Sequence, residues 1–374
     1  LAATLVLAAA VERAAAAARH GWGTHAAPDT VTRLADAQAG LHAARLLTPF
    51  VTAHTRNQAF RPAELREALG TRGTLIKIRC MRRTLHLWPL DQAVDAHTAT
   101  LRLRLGSTLA TARRHGLAQG DLQHWADHTA AELEAGPLRY RELQDRLAKQ
   151  HPRASPESLR LGIKWAWESG RLTCRNTASS LHREDRQFAL ITHAHPTVNL
   201  SGTDPKSATV RLVRRYLHAY GPVAEGDLLW WSGLTRAEIT PALTALRSET
   251  TPVRIDGLDH ELIALDADMD TLRAAEPLPT DHVRLLAFED PAFKGYFTTR
   301  ARYLDPAHRT RAFNPIGEVR ATITIAGRTA GTWAWDKKTR TVRHELFTRL
   351  PRATTRAVRQ RLDQAQTFLR TEPS

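Results

Sequence analysis

Ser155-Pro156-Glu157-Ser158-Leu159-Arg160-Leu161-Gly162-Ile163-Lys164-Trp165-Ala166-Trp167, closed by Gly170 and followed by Arg171-Leu172-Thr173-Cys174-Arg175, is the stretch that decides the fold. Ser155 reads as an N-cap, with Pro156 at the first helical position and Glu157 in the first turn. Gly170 ends the helix. Trp165 and Trp167 cannot share one helix face, and Trp165 is the expected core residue. Upstream, Gly136-Pro137 breaks the chain, and Leu138 to Lys149 reads as a helix with Leu138, Leu143 and Leu147 as its apolar positions. Downstream, a polar loop leads to a second strand, Phe188-Ala189-Leu190-Ile191. Helix, helix, strand, loop, strand is the order of a winged helix, a helix-turn-helix extended by a hairpin. The second helix and the loop are its usual contacts with nucleic acid.

The pattern recurs on both sides. Ala208 to Tyr220 reads as a helix broken by Gly221-Pro222. Gly226 to Trp231 forms a short helix, and Thr235 caps Arg236 to Leu246 with Glu238 at its capping-box position. Val253 to Gly257 and Glu261 to Leu265 then make a hairpin. In the N-terminal part, Asp29 to Gln38, Leu41 to Thr52 and Pro62 to Leu69 read as helices. Leu75 to Arg79 and Thr84 to Trp88 read as the wing strands. Three units at roughly 70–90-residue spacing are tandem copies and not a solenoid, whose period is about 20–50. The tail differs. Val319 to Ile325 alternates with period two and continues through Thr329 to Trp335 and Thr341 to Phe347 as an antiparallel meander, which Val283 to Phe288 joins. Pro351 to Leu369 is a last helix with Val358, Leu362, Ala365 and Leu369 on one face.

The expected class is therefore α+β: tandem winged helices, then a small antiparallel β-barrel-like domain and a C-terminal helix. Its divisions are 1–116, an N-terminal winged-helix region; 117–200, a second winged helix; 201–275, a third; and 276–374, the β domain with its helix.

Lysine and arginine total 53 against 38 acidic residues, a formal net charge of +15 over 374 residues. Such a surplus favours polyanions, nucleic acid first. Only seven residues are lysine, and arginine and alanine excess also follows from a GC-rich coding sequence, so charge alone does not decide. Two cysteines, Cys80 and Cys174, build neither a disulfide framework nor a zinc site and fit a reducing compartment. Leu1 to Ala10 is apolar and short but lacks a basic segment before it, and Glu12 and Arg13 follow at once. It reads as an alanine-rich helix or a miscalled upstream start and not an export signal. No apolar run approaches the roughly 20 residues that span a bilayer.

Four further segments, taken in order, resemble the YcaQ/AlkZ-type DNA glycosylases: Arg82-Arg83-Thr84-Leu85-His86-Leu87; Trp231-Ser232-Gly233-Leu234-Thr235; Gly295-Tyr296 with Arg300; and Gly327-Arg328-Thr329-Ala330-Gly331-Thr332-Trp333. The resemblance implies a concave molecule cradling duplex DNA and monofunctional hydrolysis of the glycosidic bond of alkylated purines, including bulky adducts and crosslinks. It also implies a Gln-x-Gln or Gln-x-Asp motif. Here the matching positions are Gln38-Ala39-Gly40, so the first amide is present and the second polar side chain is not.

A purine alkylated on its imidazole ring is cationic and leaves neutral, so its release needs little acid catalysis. It needs an oriented water and stabilisation of an oxocarbenium-like sugar. Glutamine suits water placement, and a carboxylate would add electrostatic stabilisation. With Gly40 in place, Asp36 or His42 would have to substitute. The bland reading of Gln38 is a helix-terminal amide satisfying a backbone group. The expected DNA contacts are Arg79, Arg82, Arg83, Arg300 and Arg302, with His86 facing the sugar or base. As strand neighbours, Arg82 and Arg83 would point to opposite faces. The bland reading of these arginines is a solvated, charge-guarded edge strand. His124 and His128 sit four apart on a helix without an identifiable third ligand, so no metal is expected, and no cofactor either. The expected partner is double-stranded DNA, bound by a monomer in the cytoplasm at the nucleoid, with no membrane association. The alternative is a non-catalytic damage binder or regulator on the same scaffold, because of Gly40.

Overall fold

The computed structural model describes residues 5–24 and 28–371. The first four residues of the alanine-rich N-terminal segment lie outside them. From there the chain forms a strand, Leu5–Leu7, before the helix Ala9–Arg19.

The Pro156–Glu168 helix starts where its cap predicts, the Ser158 N–H donating to Ser155 Oγ at 3.1 Å. Trp165 is buried, as its helix position requires. The expected helix over Leu138 to Lys149 is corrected to a two-residue strand, Leu138–Arg139, and a helix, Tyr140–Gln150. The same correction applies to Leu41 to Thr52, which is a strand, Leu41–His42, and a helix, Thr48–Arg56. In both cases a buried leucine is claimed by a sheet: Leu138 pairs with Phe188 and Leu41 with Leu87. Tertiary pairing overrides local helix preference here.

Two units therefore share one order: helix, short strand, helix, helix, strand, strand, with the short strand antiparallel to the last. The first unit runs Val31–Ala37, Leu41–His42, Thr48–Arg56, Pro62–Leu69, Leu75–Arg79 and Leu85–Pro89. The second runs Gln119–Glu132, Leu138–Arg139, Tyr140–Gln150, Pro156–Glu168, Leu172–Asn176 and Arg186–Leu190. A third, Pro205–Tyr220 to Leu262–Leu265, reduces the short strand to one bridge, Val223 to Ile263. Its sheet gains the Leu5–Leu7 strand, parallel to Val253–Ile255.

One long element was not legible in the sequence. Leu90–Arg113 is a 24-residue helix joining the first two units. It buries Gln92, Asp95, His97 and Arg104 and so shows no clean apolar stripe. Arg104 is fully buried, and its guanidinium donates to the carbonyls of His97, Thr100, Arg79 and Glu168. These bonds satisfy the charge and tie the first unit's sheet to the end of the second unit's helix.

The tail is a four-stranded antiparallel sheet in the order Val283–Leu286, Thr322–Ile325, Arg328–Asp336, Thr341–Leu346. Its outer strands do not pair among the described residues, which corrects the barrel-like expectation to an open sheet. The Arg352–Arg370 helix closes one face instead, packing Val358, Leu362 and Phe368 against Val283, Ile323 and Trp333. The main core joins Ile76, Ile78 and Trp88 of the first unit to Leu212, Tyr216 and Tyr220 of the third. The seam between those units holds the candidate site. No helix among the described residues is long and apolar enough to cross a membrane.

Candidate active site

The site is built on two turns. The first, Met81–Arg83, is a tight turn between the strands Leu75–Arg79 and Leu85–Pro89. Arg82 and Arg83 both adopt left-handed backbone, with φ of 50° and 61°. Neither lies on a strand, so the expectation of alternating faces is corrected. The Arg82 guanidinium lies 3.5 Å from the centre of the Trp230 ring. Arg83 is exposed and donates to Ser107 Oγ at 2.6 Å. Gly233 explains the fit, because a Cβ there would stand 3.2 Å from Arg82 Cα.

The second turn carries Glu289, Asp290 and the short helix Pro291–Lys294. Asp290 caps that helix through the Ala292 N–H and accepts both terminal nitrogens of Arg56 at 2.8 Å. This buried, bidentate pair fixes the turn. Glu289 takes a left-handed φ of 56°, costly for a residue with a Cβ and retained here because Oε1 accepts the Val319 N–H at 2.7 Å.

Between the turns lies a small void lined by Gly40, His42, Arg82, His86, Tyr220 and Lys294 among others. Its volume is about 10 Å³, near what one water needs. His42 pairs with His86 across the sheet, and their rings meet edge to face at 5.3 Å. Glu289 Oε2 lies 3.8 Å from His42 Nε2 and touches Lys294 Nζ. Burial, then the nearby Lys294, pushes the His86 imidazole down to about 3. His42 is likewise held well below the usual range, by burial first and Lys294 second. Both rings are therefore neutral at pH 7, and neither nitrogen of His42 has a protein hydrogen-bond partner. Burial, reinforced by Arg82, draws the Lys294 ammonium down towards about 7, while contact with the Glu289 carboxylate acts in the opposite direction.

Of the expected catalytic residues, only His42 faces this void. Gln38 is fully buried but does not line it. Its Nε2 donates to the His20 carbonyl at 3.4 Å, its backbone carbonyl accepts the Tyr220 hydroxyl at 2.9 Å, and its side-chain Oε1 is buried without a protein hydrogen-bond partner. Asp36 is exposed, bound to Gln92 Nε2 at 2.5 Å and 3.5 Å from Arg215. Gly40 has φ +92°, and a Cβ there would stand 2.6 Å from the Trp88 indole. The missing polar residue therefore reflects packing as well as chemistry.

The expected DNA contacts divide. Arg83 is exposed, and Arg82 and Arg300 are half-buried on one aromatic surface. There Arg300 lies 4.8 Å from Phe297 and 4.2 Å from Phe313, and Phe297 stacks on Trp230 at 4.4 Å. Arg79 is committed to the buried Glu168 at 3.2 Å. His86 is buried and can meet a ligand only inside the void. Arg302 is corrected outright: it is buried, pairs with Glu12 at 2.7 Å and donates to the Pro222 carbonyl, so no face is left for phosphate. Glu289, Lys294, Trp230 and Phe297 were missed in sequence. The one available signal was adjacency, since Lys294 and Phe297 flank the quoted Gly295-Tyr296.

The chain is thus a basic, mixed α+β scaffold with a buried carboxylate–imidazole site between repeated helix–hairpin units. The sequence model of the family "DNA glycosylase AlkZ-like" matches residues 31–368, and the chain belongs to that family. Among solved structures, it is similar to Streptomyces sahachiroi DNA glycosylase AlkZ, with TM-score 0.81 and 20% identity over 98% of this chain and 97% of that one. No curated protein sequence matches it.

Proposed function

We propose that this protein is a DNA N-glycosylase that hydrolyses the glycosidic bond of alkylated purines in duplex DNA, within base excision repair of alkylation damage or crosslinks. The observation that carries the reading is the buried approach of Glu289 to His42 beside Gly40, in a family of DNA glycosylases. Glu289 supplies the carboxylate that Gly40 cannot. A water in the void would meet His42 nitrogens that have no protein partner and a carboxylate 3.8 Å beyond. The Glu289 carboxylate stabilises the oxocarbenium-like sugar as the purine leaves; neutral His42 orients the water and, as it adds to the sugar, relays its proton to Glu289. The alkylated purine leaves without an acid, a metal or a cofactor. Gln38 acts as a positioning residue that holds the Ala39-Gly40 turn through His20 and Tyr220.

In this reading the three helix–hairpin units are winged helices, bounded near 116, 200 and 275, and a monomer binds the duplex against them. Arg83, Arg82 and Arg300 serve phosphates and Phe297 a base face. The setting is the cytoplasm, at the nucleoid. The void admits no base as it stands, so its lining must open for one to enter.

That closed void, with Gly40, also favours a second reading, a non-catalytic damage binder or regulator. One assay separates them. Duplex DNA bearing methylated purines is incubated with the protein and then cleaved at abasic sites by alkali. Strand breaks lost in His42→Ala and Glu289→Gln support the enzyme. Salt-sensitive binding without breaks, over simple and bulky adducts, establishes the binder.

A further inference from the structure

Lys294 has no part in base hydrolysis as described, yet its amine stands in the wall of the same void, in contact with Glu289 and opposite Arg82. A lysine serves as a nucleophile only when unprotonated, and two conditions favour that form: desolvation and neighbouring cations. Both hold here, since its side chain is 13% exposed and Arg82 and Arg300 lie nearby. The touching carboxylate opposes loss of the charge but supplies an acceptor for the proton. An amine in the wall of a small void, with a carboxylate in contact with it, suits imine chemistry at an aldehyde.

We propose that Lys294 is the nucleophile of a second activity, cleavage of the DNA strand at an abasic site by β-elimination. The ring-opened sugar presents an aldehyde at C1′. Lys294 Nζ, having given its proton to Glu289, adds to that carbon, and water leaves to form an iminium. Glu289, having released that proton to the departing water, removes a proton from C2′. The C2′–H electron pair forms the C2′–C3′ double bond, and the C3′–O bond breaks with the 3′-phosphate as leaving group. Water then hydrolyses the imine, releasing the unsaturated aldehyde and restoring the amine. No oxidant, metal or cofactor is required. The inference rests on the glycosylase reading for its substrate, and it makes the monofunctional expectation incomplete.

The test uses a duplex with a preformed abasic site, made by removing uracil with a separate enzyme, so that it does not depend on base release by this protein. The full chain is incubated with this duplex and borohydride, and the reduced adduct is mapped by mass spectrometry. A covalent adduct on Lys294, with strand cleavage in the absence of borohydride, is the expected result. In Lys294→Met, trapping should fall to the no-protein level while duplex binding persists, with melting lowered because the buried Glu289 loses its partner. Mapping in the wild-type chain keeps the test valid if that variant misfolds. An adduct at another lysine or at the N-terminal amine overturns the proposal, as does duplex binding with no adduct. Methylated-purine release, measured in parallel, shows separately whether the glycosylase reading stands.

Discussion

Gly40 and Trp88 occupy one another's space: a Cβ on Gly40 would lie 2.6 Å from Cε2 of the buried Trp88 indole. The two positions are on separate elements, one after the Val31–Ala37 helix and one on the Leu85–Pro89 strand. A polar side chain at 40 and an indole at 88 exclude each other.

Restoring the family's second polar residue should therefore harm this protein. Gly40→Gln combines overpacking with a left-handed φ of +92° and should destabilise by about 1–3 kcal/mol. Base release should not rise. Thermal melting and the alkali-cleavage assay check both; a gain in activity at unchanged melting temperature would refute the packing account.

Glu289→Gln keeps an oxygen for the Val319 N–H and removes the charge beside His42. Base release should drop about 10²–10⁴-fold, and melting should fall as well, because Lys294 loses the buried carboxylate it touches. Full activity in this variant would reassign the carboxylate to structure alone.

His20 and His86 are buried and neutral, each held down to about 3 by burial first. The unfolded chain binds protons at these imidazoles from near 6.5, the folded chain only near 3, so between those values the unfolded state holds more protons. Stability is thus full above pH 6.5 and falls as the pH drops, by about 2 kcal/mol per imidazole at about pH 5. Urea midpoints measured from neutral to mildly acid pH check this, and a flat profile would contradict it.

Arg302 and Arg83 should behave in opposite ways. Arg302→Ala leaves Glu12 buried without its partner and should cost about 3–5 kcal/mol of stability. Arg83→Ala should leave melting unchanged and lower the salt slope of duplex binding by about one. Equal melting temperatures for the two variants would sink the distinction.

How much of this was legible follows from which interactions are local. Ser155, Thr235 and Gly170 announced helix ends because caps act within four residues. The period-two run at Thr322–Ile325 announced its strand for the same reason. The Leu90–Arg113 helix escaped because the partners of its buried Arg104 and Asp95 lie elsewhere in the chain, so its polar face looks solvent-facing in sequence. Gln38 and His42 were singled out together, yet only His42 lines the void, and their unlike surroundings depend on Tyr220 and Glu289, far along the chain. Glu289 itself sits in a turn whose Asp290-Pro291 signal marks a helix start and says nothing about what faces it.

The Leu5–Leu7 strand belongs to the first division by sequence and to the third by hydrogen bonding. It works as a clasp. To part the first unit from the third, the molecule must peel this strand from Val253–Ile255 as well as split the shared core. The second unit shares no strand with the others among the described residues and is fastened instead by Arg104 and Arg79, which bind Glu168 at the end of its helix. The strand thus holds the two units that frame the void in register from outside their shared core.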